Sequence, residues 1–340
     1  MLSRVAENLY WMGRYLERSE SVARLADVNF HANVEQLPAG GGDAWDAVVD
    51  ALDARVAYDE AVASQPGLRP SEFVIYSLDN PKSLLSTITS ARNLGRELRE
   101  YISREVFEEI NRLYLEATRA GSSEHAQRTL FASVRRTIAA ILGFFDNTVL
   151  YTEGREWFRC GLFVERADMV TRIIDAKYFI LLPSVEDVGG PLDRYQWLAI
   201  LRSGSALEAY RKRHRGAITG PRVAELLMFD AEFPRSLVFC VEALRNHYER
   251  ATQLTPRPRA VHAAREIGLL ELDLRSANAS NVIRHGLHEF LDGVQLRLNR
   301  IGAAMTDHVF RALPEEPERD RLGPLGNHVQ VQRSGTPAAH

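Results

Sequence analysis

Two short strings of charge, Glu17-Arg18-x-Glu20-x3-Arg24 and Glu165-Arg166-x-Asp168-x3-Arg172, hold the residue types with most chemistry to offer in this 340-residue chain. Carboxylates take up and deliver protons, and guanidinium groups hold anionic substrates through paired N–H donors. The same residues also suit a purely structural role. Glu20 with Arg24 and Asp168 with Arg172 are ordinary i,i+4 helix pairs, and Arg24 with Asp27 is an i,i+3 pair. Sequence alone leaves both readings open: a substrate-binding or catalytic stripe, or reciprocal ion pairs that hold two helices together.

Other chemistry is thinly represented. His285-Gly-Leu-His288 places two imidazoles one helical turn apart, but no Glu-x-x-His occurs in the chain, so the usual di-metal signature of helical bundles is missing and no metal is expected. No phosphate loop, glycine-rich dinucleotide fingerprint or Gly-x-Ser-x-Gly elbow is present, and no cofactor is expected. Cys160 and Cys240 have no histidine close in sequence and sit within apolar helical pattern, where a thiol behaves as a small hydrophobe.

The charged strings sit on helices. At about 100° per residue, Gly13, Glu17, Glu20, Arg24 and Asp27 share an arc of roughly 80°. Gly161, Glu165, Asp168, Arg172 and Asp175 share the same arc on a second helix, where nearly every other position is apolar. A helix apolar on most sides is buried on most sides. Arg18 and Arg166 point off the stripe, about 100° from Glu17 and Glu165, so neither pairs readily with its neighbour in the motif. Each needs a carboxylate, carbonyls or an anion from elsewhere, because a buried unpaired charge is very costly.

Those two helices are the clearest part of a longer repeat. Gly13, Glu17, Arg18, Glu20, Arg24 and Asp27 recur 148 residues later as Gly161, Glu165, Arg166, Asp168, Arg172 and Asp175. Trp45 and Tyr58 match Trp197 and Tyr210, and the stretch around Asn80-Pro-Lys-Ser83 matches Phe233-Pro-Arg-Ser236. Such self-similarity indicates repeated architecture. The spacing predicts an all-α fold of two tandem helical repeats, about 1–150 and 151–312, related by a pseudo-two-fold and packed as one bundle of four or five helices per copy. Helix 6–30 is expected beside helix 154–180. Pro81 and Pro234 read as first-turn prolines, with Asn80 or Asp79 capping the first. Breakers place loops at 36–43, 66–70, 119–123, 183–191, 216–221 and 253–259.

Composition agrees with a folded domain: 45% hydrophobic, 26% charged, net charge −3 and pI about 6.4. No bulk charge favours nucleic acid or an anionic membrane. The basic run Arg211-Lys-Arg-His-Arg215 reads as a helix C-terminal cluster. Arg4, Glu7, Arg14 and Glu17 interrupt any apolar leader, and no uncharged stretch is long enough to span a membrane. A cytoplasmic location is therefore expected. Residues 313–340 lack a periodic apolar face and are expected to be a disordered tail.

The string Glu7-Asn-Leu-Tyr-Trp-Met-Gly-Arg-Tyr-Leu-Glu-Arg18, together with Gly161-x3-Glu165-Arg166-Ala-Asp168 and Asn80-Pro-x-Ser-Leu-x6-Ala-Arg92, resembles the bacterial alpha-E family over roughly residues 1–310. One departure is visible: Ala91-Arg-Asn-Leu-Gly-Arg96 stands where the family pattern has Ala-Arg-Glu-Asn-Ala-Arg. The resemblance implies an all-helical protein working with a circularly permuted ATP-grasp protein and a transglutaminase-like peptidase, in systems that make or trim peptide or amide bonds. It carries over no catalytic residue. The implied role is an accessory or substrate-binding subunit. The alternative is an enzyme acting on peptide or amide bonds through its paired Glu-Arg motifs, with Glu17, Arg18, Glu20, Arg24, Glu165, Arg166, Asp168 and Arg172 as the candidate site.

Overall fold

The computed structural model describes residues 1–34, 44–179 and 189–311. They are all-α, and no strand occurs among the described residues. The helices follow in order as α1 Ser3–Val34, α2 Ala44–Ala51, α3 Arg55–Ser64, α4 Pro70–Ile75, α5 Leu84–Glu97, α6 Arg104–Arg119, α7 Glu124–Thr148 and α8 Glu153–Phe179. Then come α9 Pro191–Ser203, α10 Leu207–Arg213, α11 Gly220–Ala224, α12 Leu237–Leu254, α13 Val261–Ser276, α14 Ala279–His285 and α15 Leu287–Met305. Glu225–Phe229 and Thr306–Phe310 are single π-helical turns that extend α11 and α15.

The expectation of four or five helices in each half undercounts them. Short helices such as α2, α4 and α11 hold at most about two turns, too few for a 3.6-residue period to show in sequence. The capping expectation also needs correction. Pro81 and Pro234 lie in the turns before α5 and α12, and the N-caps are Ser83 and Ser236, whose hydroxyls accept from the Ser86 and Phe239 amides. Asn80 instead closes the preceding turn, accepting from the Lys82 amide at 2.9 Å and donating to the Phe73 carbonyl. A serine oxygen satisfies an orphan amide of the first turn directly, which a proline cannot do. The stretch 36–43, most of 183–191, and the tail 313–340 lie outside the described residues.

Helices α1 and α8 pack against each other more extensively than any other pair. They meet backbone to backbone at two glycines. A Cβ on Gly13 would stand 2.2 Å from the Phe158 carbonyl oxygen, and one on Gly161 would stand 1.9 Å from that of Tyr10. From that crossing the helices advance in the same direction, Arg14 and Arg18 reaching Glu165 while Glu17 reaches Arg166. The apolar core falls into two clusters, each built from both halves of the chain. One gathers on Tyr10, Met12, Leu16, Trp157, Phe158 and Leu162. The other gathers on Val22, Ala26, Val170 and Ile173. On α1 the charged positions 17–20 fall between Leu16 of the first cluster and Val22 of the second. On α8, Glu165, Arg166 and Asp168 stand at the same boundary, with Ala167 still in the first cluster and Met169 in the second, so a polar layer lies where the two apolar clusters meet.

Local structure recurs at the sequence spacing. Asp53 and Ser205, 152 residues apart, both have positive φ, 50° and 53°. The bonds that close the Asp53 turn (Asp53 to the Asp50 carbonyl, Ala54 to that of Val49) recur as Ser205 to Arg202 and Ala206 to Leu201. The Ser83 hydroxyl donates to the Ser77 carbonyl, as that of Ser236 does to Asp230.

Candidate functional site

The eight charged residues singled out in the sequence come together in the layer between the two cores. Glu17 on α1 and Glu165 on α8 are both 0% exposed. Each faces the arginine of the other helix's motif. Arg166 donates to Glu17 through Nε at 3.0 Å and Nη2 at 2.7 Å. Arg18 donates to Glu165 through Nε and, at 2.9 Å, through Nη2. The partner that each arginine requires is therefore the glutamate of the other motif, in two reciprocal forks. Planar bidentate pairing of this kind is what guanidinium does better than ammonium.

Each glutamate also has a second arginine, and helical spacing points to neither of them. Arg235, in the turn before α12, donates to Glu17 at 2.9 Å and also pairs with Glu20, which Arg24 engages from the same helix. Arg14 donates to Glu165 Oε2 at 2.8 Å, its guanidinium 4.7 Å from the Trp11 ring centre. Arg172 pairs with Asp168 Oδ2 at 2.7 Å. A signal for Arg235 does exist in the repeat, since it matches Lys82 within the Pro-Lys/Arg-Ser string; Arg14 has Leu162 at its matching position and no such signal. Among the described residues, six guanidinium groups thus face four carboxylates, an excess of positive charge.

Burial alone would push the Glu17 carboxyl up, but the charges and hydrogen bonds of Arg166 and Arg235 outweigh it and hold it at about 2. Burial likewise opposes, and Arg18 and Arg14 overcome, at Glu165, also held at about 2. Both values lie below the ordinary glutamate value near 4.3 expected in the unfolded chain. Groups depressed in the folded state add stability that is fully present above the unfolded value and is lost as pH falls toward the folded one. Stability measured by urea unfolding should therefore hold from pH 7 down to about 5 and fall steeply between about pH 4.5 and 2. Replacing Glu17 with Gln should flatten that fall; an unchanged acid limb would show that these carboxylates do not control it.

The remaining stripe residues diverge. Asp27 meets Arg135 on α7 at 2.9 Å, and Asp175 accepts from His288 at 2.7 Å. The two histidines of His285-Gly-Leu-His288 do not share a site. His285 bonds to the Asn281 carbonyl of its own helix, whereas His288 turns to Asp175, with Asp292 also near. Hydrogen bonding to Asp175 raises the His288 pKa, and burial raises that of Asp175. Asp175, His288 and Asp292 bring three ligand-type atoms within 4.8 Å of one another, but Asp292 is exposed. Burial pushes both thiols up, Cys240 to about 12 and Cys160 well above its ordinary value, so neither is an activated nucleophile.

A cavity of about 170 Å³ opens beside Glu165, between α1, α8 and the turns carrying Asp53 and Lys82. Asp168, 7% exposed, lines it, and its Oδ1, itself closed off from solvent, has no hydrogen-bond partner among the described residues.

Residues 1–310 match the Alpha-E family, described as a predicted alpha-helical domain with a conserved ER motif. The chain belongs to the Alpha-E family. Glu-Arg pairs occur within the matched residues at Glu17-Arg18 and Glu165-Arg166, the two halves of the reciprocal fork, and also at Glu249-Arg250. Uncharacterized proteins of Mycobacterium bovis and Mycobacterium tuberculosis are similar to this Alpha-E chain, at 26% identity over 263 residues. The match takes in 71% of this chain but only 29% of each relative. No solved structure matches. No described helix is long and apolar enough to cross a membrane.

Proposed function

We propose that this Alpha-E protein is a cytoplasmic accessory or substrate-binding subunit of an ATP-grasp-type peptide or amide ligase system. Its partners are a circularly permuted ATP-grasp protein and a transglutaminase-like peptidase, as the family resemblance implies. In this reading stretches 1–150 and 151–312 are two copies of one helical unit, joined through their Glu-Arg motifs. The observation that carries a non-catalytic role is the state of the two motif glutamates. A general acid or base works best with a pKa near the operating pH and must reach the reacting group. Glu17 and Glu165 are fully buried, each held by two arginines and titrating near 2. They are built to stay ionised and still, which suits a scaffold with a cationic surplus. The long mycobacterial relatives, in which the matching region is under a third of the chain, agree with a module that works beside other segments.

The test is reconstitution. The ATP-grasp protein of the same organism is purified with and without this chain, and ATP-dependent amide formation from free amino acids is followed in each. Co-purification and a ligation rate that depends on this chain are expected, with no ATP turnover by the chain alone. A ligation rate indifferent to the chain, or ATP-dependent ligation by the isolated chain, overturns the accessory role.

A further inference from the structure

Helices α6 and α7 run antiparallel, Thr148 meeting Ser103 at one end and Ser133 meeting Glu116 nearer the other. Between them lies an open groove of about 1090 Å³. One face of α6 lines it from Phe107 to Arg119, and one face of α7 from His125 to Arg136. Phe107, Leu115 and Leu130 make an apolar floor, and Leu115 stays 37% exposed there. The charges around this floor are unevenly matched. Glu108 is taken by Arg104 and Glu116 by Arg112. Arg99, Arg119 and Arg136, all exposed, have no carboxylate partner among the described residues. Arg99 lies over the Phe107 ring at 4.1 Å, a stacking that leaves its N–H edge open to an oxygen acceptor.

We propose that this groove binds an extended acidic peptide segment, its carboxylates on Arg99, Arg119 and Arg136 and its apolar side chains on the floor around Leu115. The inference rests on the substrate-binding reading of this chain in a peptide- or amide-forming system, and it names the substrate class. Three guanidinium groups without carboxylates set the sign of the ligand, and guanidinium pairs with carboxylate through parallel N–H donors. Length sets its size. From Phe107 to Arg119, α6 runs about 18 Å, the reach of about five or six residues of extended chain. A single small anion would engage one arginine and leave the floor uncovered. Asn111 lines the same groove and accepts from Arg92 through Oδ1 at 3.2 Å, which leaves its NH2 group to donate to a peptide carbonyl. A nucleic-acid strand fits less well. Glu108 and Glu116 would repel a continuous row of phosphates, and Arg99 already occupies the Phe107 ring on which a base would stack.

Fluorescence anisotropy with the full chain tests this. The probe is the fluorescein-labelled peptide Glu-Leu-Glu-Glu-Leu-Glu. Its controls are the analogues Gln-Leu-Gln-Gln-Leu-Gln and Glu-Ser-Glu-Glu-Ser-Glu and a short labelled oligothymidylate. The probe should bind, and each control should bind at least about fivefold more weakly. Arg119→Gln and Arg136→Gln, both at exposed positions, should each weaken probe binding by up to about fivefold, the range of an exposed ion pair, and the double variant by about tenfold. Arg284→Gln, an exposed arginine of α14 outside the groove, should leave binding unchanged. Absence of probe binding at up to about 1 mM chain, where a site with Kd of about 100 μM would be mostly filled, overturns the inference. So does a double variant that binds as tightly as the native chain, or a glutamine analogue that binds as tightly as the probe. Oligothymidylate binding as tightly as the probe overturns the peptide assignment in favour of a general polyanion site. Probe binding together with a ligation rate indifferent to the chain would overturn the ligase role alone. A chain-dependent ligation rate without probe binding would overturn this inference alone.

Discussion

Replacing Glu165 with Gln should destabilise the fold by about 3–5 kcal/mol, the range for breaking a buried ion pair by removing one partner. Glutamine keeps the size of the side chain but loses its charge, and its NH2 group points a donor at guanidinium donors. Arg14 and Arg18 would then share one neutral acceptor oxygen inside a layer closed above and below by apolar core. Glu17→Gln should act similarly on Arg166 and Arg235, although Arg235 retains Glu20. Arg18→Ala and Arg166→Ala should fall below the glutamate variants, since each glutamate keeps its second arginine. Urea unfolding of the four single variants gives the ranking directly. A loss below about 1 kcal/mol for Glu165→Gln would mean that the layer behaves as exposed, solvent-screened charge, contrary to its burial.

Much of this layer can be read from residue spacing. Two residues adjacent on a helix diverge by about 100°, so the need of Arg18 and Arg166 for partners on another helix follows from their neighbours alone. The repeat then points to the other copy as the nearest source. Periodicity does not show which atoms meet. Arg235 reaches Glu17 across 218 residues from a turn, and nothing local announces that approach. The orphaned oxygen of Asp168 is equally hidden, because Asp168 and Arg172 look like a complete i,i+4 pair. His285 and His288 look like a pair by spacing, yet α14 ends at His285 and α15 begins after Gly286, whose φ is 122°, so the two rings belong to different helices. A single left-handed glycine breaks the geometry that the spacing alone suggests.

Gly161→Ala should destabilise by about 1–3 kcal/mol or more, the usual range for overpacking, despite the higher helix propensity of alanine. The added methyl would stand 1.9 Å from the Tyr10 carbonyl oxygen, and that oxygen belongs to a helix backbone that cannot swing aside like a side chain. The only relief is separation of α1 from α8. Separation lengthens the forks from Arg18 to Glu165 and from Arg166 to Glu17, so the methyl also acts on the charged layer one turn further along. Gly13→Ala meets the Phe158 carbonyl in the same way at 2.2 Å. Because both methyls push the same pair of helices apart, the double variant should lose less than the sum of the singles. A methyl on Gly143 of α7 would have nothing within 4 Å, so Gly143→Ala serves as the control and should be neutral or slightly stabilising. Equal melting temperatures for Gly161→Ala and Gly143→Ala would show that α1 and α8 tolerate separation and that the reciprocal forks do not depend on close backbone contact.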